Sequence, residues 1–222
     1  MAAQQDEIEI TVFTDPLCCW SWAFEAQLEN LRDNYAGRIS LTYIMGGLIP
    51  SWDNFHDSVN SISRPAQMGP LWMQAGQIAG KAIAHHIWIK DPPASSYPAC
   101  IAVKCAQLQS AKIGEVMLYK LREACMGSGR NIAKDTVLME IAEELAKTHE
   151  EFNLPEFILH FKGDDGIAAF KEDLQTVSFH RINRFPTIII RMPERRSLLL
   201  DGYRNFEEIH QAIKKQQGTP QL

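Results

Sequence analysis

The sequence predicts an α/β fold that is interrupted by an all-helical insertion. Two stretches near the start of the chain alternate and are rich in β-branched residues, and a helical pattern lies between them. Two short apolar runs near the end of the chain again indicate strands, whereas the long middle part contains almost no strand pattern. These three observations predict strands at both ends of the chain and helices between them.

The N-terminal elements form a β-α-β unit. Residues 8–14 (IEITVFT) are typical of a strand, residues 20–35 carry apolar positions at helical spacing, and residues 38–45 (RISLTYIM) predict a second strand. The pair Gly46-Gly47 ends that strand. Such a unit forms a parallel strand pair with a right-handed crossover.

The middle of the chain predicts helices separated by proline and glycine. The predicted helices cover residues 66–86, 97–110, 113–126, 134–148 and 155–161. The segment SSYP at 95–98 is typical of a helix start, with a serine cap followed by an early proline.

The C-terminal part returns to mixed structure, with a helix over 165–178, strands over 187–191 and 197–200, and a last helix over 205–216. Without the middle block, the order β-α-β followed by α-β-β-α is that of a thioredoxin fold. We therefore predict a discontinuous thioredoxin-like domain, residues 1–52 and 165–222, and a helical insertion domain, residues 53–164.

Composition and charge exclude several function classes. The chain has 222 residues, 45% hydrophobic and 22% charged, and a net charge of −5 without a basic block, so neither nucleic acid nor an acidic membrane surface is an expected partner. The N-terminus lacks the features of a secretory signal, and no apolar run approaches the ~20 residues of a membrane span. We expect a cytoplasmic protein. Five cysteines, an odd number, argue against a structural disulfide framework there.

The segment DPLCCWSW at 15–22 puts a cysteine pair at the junction of the first strand and the first helix. Free backbone N–H groups and the helix dipole favour negative charge at a helix start, so the position predicts a lowered pKa and a nucleophilic thiolate. Cys18 holds the first position of a C-x-x-C pattern and is preferred over Cys19 as nucleophile.

Ser21 stands where a C-x-x-C motif has its second, resolving thiol. A serine cannot release a mixed disulfide, although its hydroxyl can donate a hydrogen bond to a Cys18 thiolate. Release would need a thiol from glutathione, from the substrate, from Cys19 or from a distant cysteine such as Cys100. Cys19 is the weakest of these, because a disulfide between adjacent cysteines strains the peptide.

A second feature, the segment Arg184-Phe185-Pro186-Thr187, precedes the predicted third strand. A thioredoxin-type site has a cis-proline loop at this place, facing the cysteine, and Pro186 is the candidate. Such a loop would expose the backbone of Phe185 to an extended peptide substrate. Candidate substrate-binding residues are Trp20, Trp22, Phe185 and Thr187; of the two tryptophans beside the thiol, one is expected to pack beneath the helix and the other to form an apolar rim.

The segment DPLCCWSW resembles the DPxCxWCW/Y active-site segment of the DsbA-like thioredoxin superfamily, in its FrnE-like branch of cytoplasmic disulfide isomerases. The resemblance covers nearly the whole chain. It extends to MGGLIP at 45–50, DPPASSYPACIAVKCA at 91–106, GRNIAKDTVL at 129–138, RFPTIII at 184–190 and LLLDGYRNFEEI at 198–209. It implies a thioredoxin fold with an inserted helical domain, Cys18 as nucleophile and Pro186 as the cis-proline. It would also place a second catalytic cysteine at position 21, where this chain has Ser21.

The leading hypothesis is a thiol–disulfide oxidoreductase or isomerase whose lone catalytic cysteine is Cys18, supported by Ser21 and Pro186. Its expected partners are protein or peptide thiols and disulfides, with glutathione as a thiol partner, no tightly bound cofactor and no metal site. Two alternatives stay open: a glutathione-dependent transferase or isomerase of the kappa type, which the serine at position 21 favours, and a non-catalytic adaptor that binds proteins through the groove.

Overall fold

The protein is described by a computed structural model, and the described residues are 8–218. A four-stranded sheet positions the candidate site. Its strands are β1 (Ile8–Thr14), β2 (Ile39–Met45), β3 (Thr187–Arg191) and β4 (Leu198–Asp201). They lie in the order β2-β1-β3-β4, with β1 parallel to β2 and antiparallel to β3, and with β4 antiparallel to β3. The strands from the two ends of the chain therefore meet at the centre of one sheet.

Helix α1 (Cys19–Asn34) connects β1 to β2, as the β-α-β pattern predicts. Its apolar face buries Trp22, Leu28 and Leu31, each less than 10% exposed. The crossover places the start of α1 directly after the C-terminal end of β1, so residues 15–18 form a tight turn at that edge of the sheet. Within this turn the Cys18 N–H donates to the Asp15 backbone oxygen at 3.1 Å.

Helices fill the segment between β2 and β3. They are α2 (Met68–Ala79), α3 (Ile87–Lys90), α4 (Tyr97–Gln109), α5 (Ala111–Arg122), α6 (Asp135–Thr148), α7 (Leu154–Lys162) and α8 (Asp165–Phe179), and α9 (Phe206–Gly218) follows β4. A π-helical turn, Glu123–Gly127, extends α5. Within residues 8–218, no helix combines the length and apolar character that crossing a membrane requires.

The helix predicted over 66–86 is shorter in the structure, and this part of the prediction is wrong. Gly80 adopts a left-handed conformation with φ 63°, and the Lys81 N–H bonds back to the Gly76 oxygen at 3.0 Å. This arrangement is typical of a glycine that ends a helix. The spacing of apolar residues, on which the prediction was based, does not indicate that Gly80 ends the helix.

Helix α4 links the insertion to the sheet. It packs against α5, α7 and α8 and also touches β2. One hydrophobic cluster runs from the sheet through α1 into the helices, and it includes the fully buried Trp72 and Trp88. The division at residues 52–53 and 164–165 stays a prediction, and residues 1–7 and 219–222 of that division lie outside the described residues.

Candidate active site

Cys18 is the N-terminal cap of α1. Its sulfur accepts the Ser21 N–H at 3.4 Å, so it occupies the position from which a cap satisfies a free backbone donor of the first turn. On its other side the Cys18 thiol donates to the Phe185 backbone oxygen, also at 3.4 Å. The residue is 5% exposed. The thiol thus lies between the start of α1 and the loop that precedes β3.

The loop before β3 is held against two neighbouring segments. The Phe185–Pro186 peptide bond is cis. The Thr187 hydroxyl donates to the Arg184 backbone oxygen at 2.8 Å and to the Asp201 carboxylate at 3.0 Å, which ties the loop to the end of β4. The Phe185 ring lies over Gly46, where an added Cβ would come within 2.0 Å of the ring. Position 46 therefore requires glycine, because the Phe185 ring leaves no room for a Cβ atom.

An open groove of about 910 Å³ runs past Cys18. The loop before β3 and the segment after β4 line one part of it, and the loop that follows β2 lines another. Its apolar side chains include those of Leu17, Trp20, Leu48, Phe55, Val59, Leu71, Phe185 and Tyr203. Its acidic and basic side chains are those of Asp57, Arg184, Asp201 and Arg204, and His56 also lines it. The thiol therefore borders an open groove with both apolar and polar walls.

The two tryptophans beside the thiol lie in different environments. Trp20 is half-buried, lines the groove and packs on Tyr203 with ring centroids 6.1 Å apart. Trp22 is buried against Tyr119, with the Lys81 ammonium 5.0 Å from its ring, and it is not part of the groove lining.

The remaining predicted site residues surround Cys18. Ser21 is 2% exposed, and its hydroxyl oxygen has no hydrogen-bond partner among the described residues. Phe185 lines the groove, whereas Pro186 and Thr187 are buried behind it. Ser21 and Phe185 thus lie against the sulfur, and Thr187 supports the loop from inside.

Asp15, three residues before Cys18, is a buried residue of the site; from its place in the sequence we expect it to cap the turn or to repel the Cys18 thiolate, and the cap is the preferred role. Its carboxylate accepts the Leu17 N–H at 2.8 Å, the Leu48 N–H at 2.6 Å, the Ser96 hydroxyl at 2.8 Å and the Cys100 thiol at 3.4 Å. Burial nevertheless raises the pKa of Asp15, the hydrogen bonds offsetting only part of the effect.

Helix α4 begins where the SSYP segment predicts, with Ser96 at the cap position and a proline in the first turn, but the Asp15 carboxylate draws the Ser96 hydroxyl away from the helix. The hydroxyl of Ser96, the residue at the cap position, makes no capping hydrogen bond, because it donates to Asp15 instead. The Ser95 hydroxyl accepts the Tyr97 N–H at 3.1 Å in its place. Asp15 therefore joins the Cys18 turn, the loop after β2 and the start of α4.

Arg122 is a buried residue of the site that the sequence patterns did not predict. It is the last residue of α5, it is 1% exposed, and its guanidinium contacts Thr14, Glu25 and the Asp15 backbone oxygen. The signal available in the sequence was an arginine within an apolar helical segment, which by itself is typical of a partly exposed side chain.

Burial raises the pKa of the Cys18 thiol. The Ser21 side chain and backbone N–H favour the thiolate, and so does the charge of Arg122, while the Asp15 carboxylate opposes it. The expectation of a lowered pKa is therefore wrong for the resting structure. The helix start acts in the predicted direction, but desolvation of a sulfur covered by the Phe185 loop outweighs it.

The other cysteines are buried and free of disulfides. Burial raises the pKa of Cys19 and of Cys100 well above the usual range, and it raises the pKa of Cys105 and of Cys125 to about 12. None of these thiols lines the groove except Cys19, which is 2% exposed. Within residues 8–218, no cluster of histidine, cysteine or acidic side chains could hold a metal ion.

Comparison with known sequences gives a family and a group of relatives. A protein-family model described as "Thioredoxin" matches residues 11–211. The ClpXP adapter protein SpxH of Halalkalibacterium halodurans is 29% identical over 182 residues, which cover 82% of this chain and 58% of that protein. The SpxH of Bacillus subtilis is 30% identical over 183 residues, covering 82% and 57%. The chain thus spans less than two thirds of the length of these relatives.

Comparison with solved structures shows the fold. A candidate protein disulfide isomerase from Nitrosomonas europaea superposes with a TM-score of 0.77 at 20% identity, covering 96% of this chain and 100% of the other. The cytosolic disulfide reductase DsbM from Pseudomonas aeruginosa superposes with a TM-score of 0.69 at 19% identity, covering 94% and 98%. Its structure with GSH gives a TM-score of 0.66 at 20% identity, covering 95% and 100%. The predicted thioredoxin-like fold is confirmed.

Proposed function

Because the chain belongs to the thioredoxin family, we propose that it is a thiol–disulfide oxidoreductase of the DsbA type that acts through the single nucleophile Cys18. The observation that carries the proposal is the position of the Cys18 sulfur. It caps α1, contacts the Phe185 carbonyl at 3.4 Å, and borders an open groove with both apolar and polar walls. We place this activity in the cytoplasm, where the free cysteines of the chain would stay reduced. The FrnE-like branch is part of the same proposal.

The proposed reaction has two exchange steps. The Cys18 thiol first loses its proton to solvent. The Ser21 N–H stabilises the thiolate, and the Ser21 hydroxyl, which has no partner among the described residues, can turn to donate to it as well. The thiolate attacks one sulfur of a substrate disulfide, so that a Cys18 mixed disulfide forms and the other substrate sulfur leaves as a thiolate, which takes up a proton. A second thiolate then attacks the substrate sulfur of the mixed disulfide, so that a new disulfide forms between these two sulfurs and Cys18 leaves as a thiolate. Ser21 cannot be that second thiol, and Cys19 and Cys100 are both buried, so we assign the second thiol to a molecule from outside the chain.

Two arginines of the groove favour a glutathione-type second thiol, which carries carboxylates. Arg184 and Arg204 make only long ion contacts, both at 4.0 Å, and within residues 8–218 their guanidinium groups donate no hydrogen bond. The carboxylates of the groove, in contrast, are already bonded: Asp57 accepts from Asn60, and Asp201 accepts from Thr187. The unused donors thus suit a carboxylate ligand. Support also comes from the fold neighbour DsbM, whose structure was solved with GSH.

The test is the glutathione-dependent reduction of a mixed disulfide between a peptide and glutathione, followed at pH 7.5 and pH 9. We expect turnover above the uncatalysed rate, and we expect mass spectrometry to detect a glutathione adduct on Cys18. Cys18→Ser should abolish both, whereas the control Cys19→Ala should retain both. Arg184→Ala and Arg204→Ala should raise the KM for glutathione, and Arg191→Ala, outside the groove lining, should not. Equal turnover by the wild type and Cys18→Ser would contradict the proposal.

The curated relatives favour a second candidate function. The SpxH proteins are named adapters, which suggests that the groove of this chain binds a protein without chemistry at the thiol. The raised pKa of Cys18 is consistent with this function. The same assay separates the two candidates, because an adaptor predicts no turnover by the wild type at either pH.

A further inference from the structure

Arg122 brings a permanent positive charge from the helical insertion to the underside of the candidate site. Its side chain is 1% exposed, and a guanidinium stays protonated in proteins. It lies at the end of α5, directly before the π-helical turn Glu123–Gly127. Irregular turns of this kind inside helices are frequent at functional sites.

The guanidinium contacts both sides of the turn that carries Cys18. Nη2 donates to the Thr14 hydroxyl and, at 3.4 Å, to the Asp15 backbone oxygen, both at the end of β1. The same Asp15 oxygen accepts the Cys18 N–H at 3.1 Å. Nη1 pairs with Glu25, which lies on α1. One side chain therefore joins the strand before the turn to the helix after it.

We propose that Arg122 is a positioning residue for Cys18: it fixes the β1–α1 turn through the Asp15 carbonyl and keeps a positive charge beside the turn that carries the sulfur, so that the helical insertion tunes the reactivity of the thiol. This inference rests on the proposed role of Cys18. Its test measures the thiol itself rather than turnover, so the two can fail separately.

Stability alone is a weak reason for such a buried pair. Replacing a buried ion pair with apolar residues of similar volume is often neutral or stabilising, because desolvation of the charges offsets their attraction. In addition, the Arg122 Nε has no hydrogen-bond partner among the described residues. A guanidinium that is incompletely bonded, yet bonded to the carbonyl of the Cys18 turn, fits an electrostatic role better than a purely structural one.

The charged groups around the Arg122–Glu25 ion pair determine in which direction each substitution should shift the pKa of Cys18. Burial is the main cause of the raised pKa of Cys18, and of the two charged groups that act beside it Asp15 raises this pKa and Arg122 lowers it. Glu25 is the counter-ion of Arg122, and the charged neighbours of Glu25 are Arg32, Glu115 and Glu29. Removing the Arg122 charge should therefore disfavour the thiolate, and removing the Glu25 charge should favour it.

The experiment measures the rate of Cys18 alkylation against pH, together with the melting temperature. Arg122→Met should destabilise the protein, because Glu25 is left buried without its partner. In the double variant Arg122→Met/Glu25→Gln the melting temperature should recover. Its alkylation at pH 7.5 should stay several-fold slower than in the wild type, because the midpoint moves to higher pH. The single variant Arg122→Lys, which keeps the charge, should have the same alkylation midpoint as the wild type.

Glu25→Gln alone provides the second test, since it keeps the volume of the side chain and leaves Arg122 in place. We expect its alkylation midpoint to lie below that of the wild type. Cys18→Ser gives the background from the other cysteines. A double variant with the wild-type alkylation profile, or a Glu25→Gln variant with an unchanged midpoint, would overturn the proposal and leave Arg122 a structural residue.

Discussion

The sulfur of Cys18 lies 3.4 Å from the backbone oxygen of Phe185, although 167 positions separate the two residues in the chain. The sheet explains this contact. Strands β1 and β3 are adjacent and antiparallel, and Phe13 pairs with Thr187, so the end of β1 meets the start of β3. The turn after β1 and the loop before β3 therefore face each other. A substrate that reaches the sulfur must replace the Phe185 contact.

Changing Ser21 to cysteine should create a dithiol site. The Ser21 backbone nitrogen is 3.4 Å from the Cys18 sulfur, and its hydroxyl is buried without a partner among the described residues, so a sulfur at this position would lie next to Cys18. After mild oxidation with oxidised glutathione, thiol titration in denaturant should find that the Ser21→Cys protein has lost two thiols to a disulfide between positions 18 and 21. Ser21→Ala is the control and should form no such disulfide. An unchanged thiol count in Ser21→Cys would show that the two positions do not meet.

Gly46→Ala should disturb the Phe185 loop. The added Cβ would lie 2.0 Å from the Phe185 ring, so the ring must move. Overpacking of this kind costs about 1–3 kcal/mol, which urea unfolding can measure. The displaced loop should also uncover the sulfur and speed alkylation of Cys18. Gly127→Ala is the matched control, because nothing lies within 4 Å of its Cβ, and its unfolding free energy should stay near that of the wild type. Equal stability of the two variants would argue against the tight contact.

Stability should fall in alkaline solution. Burial raises the pKa of Cys105 and of Cys125 to about 12, whereas an unfolded cysteine titrates near pH ~8.5. Below the pKa of the unfolded cysteines, the thiols are protonated in both the folded and the unfolded chain. The preference of the folded state for the protonated thiols then contributes fully to the free energy of unfolding. Above that pKa only the unfolded chain releases its proton, and the free energy of unfolding falls until the pH passes the folded pKa.

Each such cysteine should contribute a slope of about 1.4 kcal/mol per pH unit in that window. Cys125→Ala should therefore be less stable than the wild type at pH 7.5, because it leaves a cavity, but should lose less stability between pH 9 and pH 10.5. Urea unfolding with reductant present gives both values. Parallel pH curves for the two proteins would contradict the assignment.

Local patterns predicted most of the elements because they depend on side-chain period and on turn residues. The alternation of residues 8–14 gave β1 with the observed bounds, and the apolar face of residues 134–148 gave α6 within one residue. The prediction over 66–86 failed at Gly80, where a left-handed glycine ends the helix. The start of α4 was predicted correctly, but not that the Ser96 hydroxyl bonds to Asp15, 81 positions earlier, while Ser95 accepts the Tyr97 N–H.

The sequence by itself determined the order of strands and helices, the place of Cys18 at a helix start and the place of Pro186 before the third strand. Those features follow from neighbouring residues. Only the tertiary structure decided the sign of the Cys18 pKa shift, the distant partners of the Asp15 carboxylate and the presence of Arg122 beside the Cys18 turn. Desolvation depends on what covers an atom, and here the covering groups come from β3 and from the helical insertion, far away in the chain. A helix start favours the thiolate, but burial by distant segments outweighs it.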